Sequence, residues 1–285
     1  MTYLVTGVTG GLGGGILEHL SEKVPVSEIA VLVRSQEKGK VFAGKGYDVR
    51  VADFSDQEKL EQAFEGIDTL MFVSSAPGQE ISREQQHRNV IAAAKAAGVK
   101  NIVYTSISNG EKSTSVLAPD HIVTESLIKN SGLAYKILRN NWYLENEVDT
   151  IQVALAGKGF VHAGGDGKVG WALRREYAEA AANALAGDFS TSEIYELAGR
   201  QVTYAELAAA VKEVTNQDFE VVSLSDADFR QGLKEAGQPE PVIAIVAGIQ
   251  ASIADHQLEV AESQLENLLG HQQLPLVDAM KELLV

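Results

Sequence analysis

Residues 6–13 read Thr6-Gly7-Val8-Thr9-Gly10-Gly11-Leu12-Gly13, three glycines at Gly-x-x-Gly-x-x-Gly spacing between a β-branched run and a helical one. Such a loop exposes backbone N–H groups at the positive end of a helix dipole and lacks the side chains that would block close approach. Gly7, Val8, Thr9, Gly10, Gly11 and Leu12 are therefore expected to hold a diphosphate; a tight turn with surplus glycines is the alternative. About 20 residues further on, at the end of the second strand, an acidic residue would bind the ribose hydroxyls of NAD. Here the residue is Arg34. A guanidinium pairs bidentately with a 2′-phosphate, so NADPH is the expected cofactor, unless Arg34 is only a solvated strand-end charge. Asp53, at the end of the third strand, can accept from an adenine amino group or be a surface turn residue. Trp142 and Tyr143 can stack on a planar acceptor or pack in the core. The six histidines show no i, i+4 pair, and with no cysteine no catalytic metal is expected.

The elements that must position these residues alternate. Near-continuously apolar strands are expected over residues 3–6, 29–34, 48–51, 69–74, 101–106 and 134–138. Helices are expected over 16–20, 83–98 and 120–131. This is the order of an α/β Rossmann-type doubly wound parallel sheet, with crossover helices covering both faces. Beyond about residue 145 the alternation gives way to a glycine-rich patch (Gly164, Gly165, Gly167, Gly170) and then mostly helical text. A capping-box pair, Thr203 and Glu206, opens one helix, residues 219–222 read as a strand, and another helix follows Ser225. The division expected is residues 1–144 as the dinucleotide-binding domain and 145–285 as a smaller, mostly helical region packed on it, with some segments returning to the sheet.

Composition narrows the function. The 285 residues include no cysteine, which excludes a disulfide scaffold, a thiolate metal site and a cysteine nucleophile, and the chain reads as cytoplasmic. A net charge of −15 repels phosphate backbones, so nucleic acid is not an expected partner. The apolar run 242–249 follows Pro239 and Pro241 and is far shorter than the ~20 residues a spanning helix needs, so no membrane partner is expected either.

The spacing of the loop is the form found in the short-chain dehydrogenase/reductase superfamily, whose members protonate substrate with a tyrosine followed four residues later by a lysine. None of the eight tyrosines is so followed. On the helix that should carry the pair, His121 stands in the tyrosine place and Glu125 in the lysine place. The chain resembles the NmrA-like branch of atypical short-chain dehydrogenases, among them its quinone and triphenylmethane-dye reductases. Matching text includes residues 6–13, Val33-Arg34, Ser74-Ser75, His87-Arg88-Asn89-Val90, Tyr104-Thr105-Ser106, 120–125, Leu138-Arg139-Asn140-Asn141-Trp142-Tyr143, 163–168 and Tyr195-Glu196-Leu197-Ala198-Gly199.

The resemblance implies a nicotinamide resting over Ser74, Ser75 and Ala76 on one side and Asn140, Asn141, Trp142, Tyr143, Leu144 and Glu145 on the other. It further implies that Arg174 touches the cofactor, with Lys168 in a loop nearby. It implies an NADPH-dependent transfer of hydride to a quinone or similar planar conjugated acceptor, and a homodimer is compatible with it. Such an acceptor becomes a hydroquinone anion that can take its proton from water, which suits the missing dyad. No catalytic residue is assigned. His121 can orient a quinone oxygen, shuttle a proton or stand functionless on the helix surface, and Tyr143 is the other candidate. The competing reading is a regulatory dinucleotide-binding protein without turnover; a sugar-nucleotide epimerase is disfavoured because it needs the Tyr-Lys pair.

Overall fold

The computed structural model describes residues 1–76 and 80–284. The first half runs β1 (Tyr3–Val5), α1 (Gly11–Ser21), β2 (Ile29–Val33), α2 (Gln36–Ala43), β3 (Asp48–Val51), α3 (Gln57–Phe64), β4 (Thr69–Phe72), α4 (Arg83–Ala96), β5 (Asn101–Ile107), α5 (Ala118–Lys129) and β6 (Ala134–Asn140). Then follow α6 (Val148–Val153), β7 (Phe160–His162), α7 (Arg174–Ala186), β8 (Glu193–Leu197), α8 (Tyr204–Thr215), β9 (Val221–Ser223), α9 (Asp226–Glu235), α10 (Glu240–Ala254), α11 (Leu265–Leu269) and α12 (Leu276–Leu284). Seven strands form one parallel sheet in the order β3-β2-β1-β4-β5-β6-β8, and β7 and β9 form a small parallel pair of their own. The strand order reverses direction at β1 and β4, which opens a crevice at their carboxyl ends.

The alternation of side chains along the strands divides two cores. Tyr3, Val5, Ile29, Val31, Val33, Met71, Val103 and Leu138 face a core shared with α1 and α7. Their neighbours Leu4, Ala30, Leu32, Leu70, Phe72, Ile102, Tyr104 and Ile137 face a second core closed by α3, α4 and α5. On the first face Gly15 lets α1 approach α7 so closely that a Cβ there would lie 2.9 Å from the Cβ of Ala178. A third core, around Trp171, Tyr204 and Phe160, is drawn mostly from residues beyond 144, with Leu144 and Trp142 joining it.

Three expectations shift. The third strand is not covered on both faces: β3 is the sheet's edge and its four residues are exposed or half-exposed. The first helix begins at Gly11, five residues before its apolar run, because the weak helix former glycine hides a start that the loop's function requires. The sixth strand continues through Asn140, so the expected cofactor stretch begins inside the sheet. The capping box at Thr203 and Glu206 forms with both arms, and Ser225 caps α9. Residues 242–249 lie in α10, and among the described residues no helix is long and apolar enough to cross a membrane.

Candidate functional site

A cleft of about 610 Å³ opens at the carboxyl ends of β1 to β4. Its floor is the glycine loop. Gly7 holds a left-handed backbone (φ 68°), and a Cβ on Gly13 would lie 2.3 Å from the carbonyl oxygen of Gly7, so neither position accepts a side chain without distortion. Gly10 is the N-cap of α1 and supplies no capping side chain, so the first-turn N–H groups keep their hydrogen-bonding capacity for a ligand. No acidic residue occupies that first turn to neutralise the dipole.

The walls carry five of the expected contacts. Arg34, exposed at the end of β2, lines the cleft, as do Asp53, Ser74, Ser75 and Ala76. One oxygen of Asp53 already accepts from the Ser55 amide (2.9 Å) and hydroxyl (2.7 Å), which fixes the turn it sits in. At the exit of β4 three successive amides are met by side chains. Val73 N–H donates to Thr6 Oγ1 (2.9 Å), Ser74 N–H to Thr105 Oγ1 (2.9 Å) and Ser75 N–H to His87 Nε2 (3.1 Å). Ile81 and Gln86 also line the cleft and were not foreseen; they sit where α4 begins, and no sequence motif marks them.

The loop residues Val8 and Gly11 lie elsewhere. Val8 is buried in the first core, and Gly11, exposed at the start of α1, stands beside Arg174, whose Nη1 would be 2.9 Å from a Cβ there. Arg174 also stacks over Tyr143, with 5.4 Å from its guanidinium carbon to the ring centre, and so bridges the glycine loop to the end of β6.

The stretch Asn140 to Glu145 does not line this cleft, and most of it is committed to structure. Asn141 donates to Ser108 Oγ and Leu258 O and accepts from the amides of Trp142 and Gly170. Trp142 donates its indole N–H to the buried Glu147 and packs in the third core with Leu144. Glu145 accepts from the Arg174 amide at 2.8 and 2.9 Å, capping the start of α7. Two residues keep capacity for a ligand. Asn140 donates to the Tyr143 hydroxyl (3.1 Å), but its Oδ1 is buried with no partner, and Tyr143 is half-exposed. Lys168 is exposed, its amide tied to Glu259.

The helix that would carry a proton donor has become a structural seal. His121 is 7% exposed, so it does not stand on the helix surface. Its Nδ1 pairs with the Tyr104 hydroxyl (2.8 Å) and its Nε2 with Arg83 Nη2 (3.2 Å). Burial, with Arg83 and His87 alongside, holds it well below the usual imidazole range, which disfavours the imidazolium form that would act as an acid. Glu125, in the lysine place, is buried and accepts a bidentate pair from Arg139 (2.9 and 2.7 Å) and the Ser106 hydroxyl (2.6 Å). Among the described residues no cluster of histidine or carboxylate side chains could hold a metal ion.

Residues 7–187 match the family described as NAD(P)H-binding. The chain is 38% identical over 281 residues, 98% of its length, to quinone oxidoreductase 2 of Escherichia coli (strain K12), covering 97% of that protein. Its fold superposes on the crystal structure of an Escherichia coli NADPH-dependent quinone oxidoreductase in complex with NADPH with a TM-score of 0.94, at 37% identity and with both chains fully covered. The Citrobacter sp. triphenylmethane reductase complexed with NADP(H) gives a TM-score of 0.93 at 33% identity, again over the whole of both chains.

Proposed function

Because the chain belongs to the NAD(P)H-binding family, we propose that it is an oxidoreductase that passes hydride from NADPH to a quinone or similar planar conjugated acceptor. The observation that carries this is the cleft: a glycine-rich, uncapped helix start at its floor, Arg34 on its wall and the exits of β1 to β4 around it. The chain's residues fit the dinucleotide. The glycine loop cradles the diphosphate, Arg34 meets the 2′-phosphate and Asp53 faces the adenine. When bound, NADPH supplies the hydride, two electrons with one proton. The acceptor leaves as a hydroquinone anion and takes its second proton from water. Neither His121 nor Glu125 is arranged to give one. Names of the relatives, two reductases of quinones and dyes, point the same way.

In this reading residues 1–144 hold the cofactor and 145–285 cover the acceptor side, the protein works in the cytoplasm, and it assembles as a homodimer. Light scattering of the purified protein tests the last point. The central test is NADPH oxidation followed by its near-ultraviolet absorbance against a panel of quinones, azo dyes and triphenylmethane dyes. Turnover with quinones supports the proposal. Tight NADPH binding with no turnover on any acceptor would favour the regulatory reading instead.

A further inference from the structure

We propose that His87 and Arg83 are positioning residues that grip the Ser75 peptide from both sides and so set the affinity of the cleft for NADPH, an inference that rests on reading the cleft as the NADPH site. His87, fully buried on α4, takes the amide of Ser75 on Nε2 (3.1 Å), while Arg83, one turn earlier, donates from Nε to the Ser75 carbonyl (2.7 Å). The Ser75 hydroxyl lies 3.1 Å from the same ring nitrogen. The two side chains thus hold both ends of one residue that borders the cleft.

The hydrogen-bond network assigns a direction to this grip. An Nε2 that accepts from an amide carries no proton, so the ring proton is on Nδ1, where it goes to Thr124 Oγ1 (2.7 Å). The Thr124 hydroxyl in turn donates to the Asp120 carbonyl (2.6 Å), so it is free to accept at the histidine and nowhere else along this path. With the ring nitrogen unprotonated, the Ser75 hydroxyl cannot accept from it, and can meet it only as a second donor sharing the lone pair with the amide. Its lone pairs are then left for a donor in the cleft, a role suited to a ribose hydroxyl. Burial and Arg83 push His87 down to about 3, so the accepting nitrogen persists at neutral pH.

Packing alone does not call for this arrangement. His87 stands against Phe72 and Tyr104 at ring separations of 4.9 and 5.8 Å, where an apolar side chain would serve equally well. Nor does satisfaction of the amide, because Ser75 is half-exposed and water could meet its N–H. What the imidazole adds over water is a fixed direction. Arg83 reaches further, to His121 (3.2 Å) and towards Asp120 (3.9 Å), so the same guanidinium ties the β4 exit to α5.

The test uses His87→Leu, which removes the acceptor, Thr124→Val, which removes only the group that fixes the tautomer, and His87→Gln, which restores an acceptor amide. Two measurements are made on each folded protein: hydrogen exchange at the Ser75 amide without cofactor, and NADPH affinity by fluorescence titration. His87→Leu is expected to speed Ser75 exchange and to weaken NADPH roughly three- to tenfold, the effect of one lost hydrogen bond, with Thr124→Val intermediate and His87→Gln recovering part of the loss. The rise should appear in KM for NADPH and leave kcat nearly unchanged. Unchanged exchange and unchanged affinity in both His87→Leu and Thr124→Val, with only the melting temperature lowered, would overturn the proposal and leave His87 as core packing. Failure of the wild type to bind NADPH at all would instead overturn the reading of the cleft, a result distinct from the first.

Discussion

The glycine loop follows β1 and helix α5 follows β5, two places along the same sheet with β4 between them, and they use polar groups in opposite ways. Around the loop, N–H groups at the start of α1 and the guanidinium of Arg34 face a cleft. Around α5, nearly every polar group is spent on another protein group: His121 on Tyr104 and Arg83, Thr124 on Asp120 and His87, and Glu125 on Arg139 and Ser106. One region turns backbone donors and a guanidinium towards the cleft, and the other turns its polar side chains on one another. The contrast shows that a fold can keep its cofactor half intact while turning its acid–base half into structure, which a quinone acceptor tolerates and an ordinary ketone would not.

The largest effect expected is at the loop. Gly10→Val should cut NADPH affinity by about a thousandfold or more by closing the helix start to the diphosphate. Its far-ultraviolet circular dichroism should hold, because a Cβ there meets only Gly7 O, at an ordinary 3.4 Å. Retained binding in titration calorimetry would erase the comparison at its first term.

At α5 the damage should be to stability and not to binding. Glu125→Ala strips Arg139 of its bidentate partner and should cost about 3 kcal/mol in urea unfolding, with NADPH affinity little changed. A comparable loss of affinity in folded protein would show that the two regions are not separate. Arg34→Ala comes next: it should lose the preference for NADPH over NADH, worth about 1.5 to 3 kcal/mol or roughly ten- to a hundredfold. Equal binding of both cofactors by the wild type would already refute the assignment.

Acid should expose the sealed region. His87, at about 3, and His121 are both depressed by burial first and by Arg83 second, so the folded protein binds fewer protons than the unfolded chain below an unfolded imidazole value of about 6.5. Their contribution to stability is complete above that value and is lost as pH falls towards the folded values. Denaturation midpoints measured from pH 7 down to 4 should decline, and His121→Asn should decline less steeply. The smallest effect expected is on turnover. His121→Asn and Tyr143→Phe should each keep kcat within about tenfold of wild type and show no imidazole-like pH dependence, since a positioned acid would be worth about 10²- to 10⁴-fold. A thousandfold drop in either would reveal a donor.

What could be read from the sequence depended on whether a local rule governed the position. The glycine loop, Arg34, Asp53 and Ser74 to Ala76 all sit where a strand ends, and in a parallel sheet strand ends are where ligands gather, so finding the strands located these residues. Helix α5 breaks the rule that apolar residues mark the buried face. Ile122 and Val123 are half-exposed while His121, Thr124 and Glu125 are buried, and only the partners supplied by β5, β6 and α4 make that inversion affordable. For residues 140–145 the resemblance gave one undivided stretch, which the structure brings against Arg174 at Tyr143 and Glu145. It could not distinguish Asn140, with its orphaned oxygen, from Asn141, whose amide is consumed by the far end of the chain at Leu258. Gln86 escaped notice because lining the cleft depends on how α4 crosses the sheet, which no neighbouring residue encodes.

The contact between Gly15 and Ala178 has a consequence for the order in which the protein is made. The face of α1 that carries Ile16, Leu17 and Leu20 is covered by α7, an element synthesised long after it. At about 5–20 residues per second, α1 emerges from the ribosome roughly 10 to 30 s before its cover does. During that interval the first strands can pair while one side of their sheet is still bare. A nascent chain halted near residue 144 should therefore be captured by chaperones or aggregate, and release should follow the arrival of α7 rather than the completion of the glycine loop.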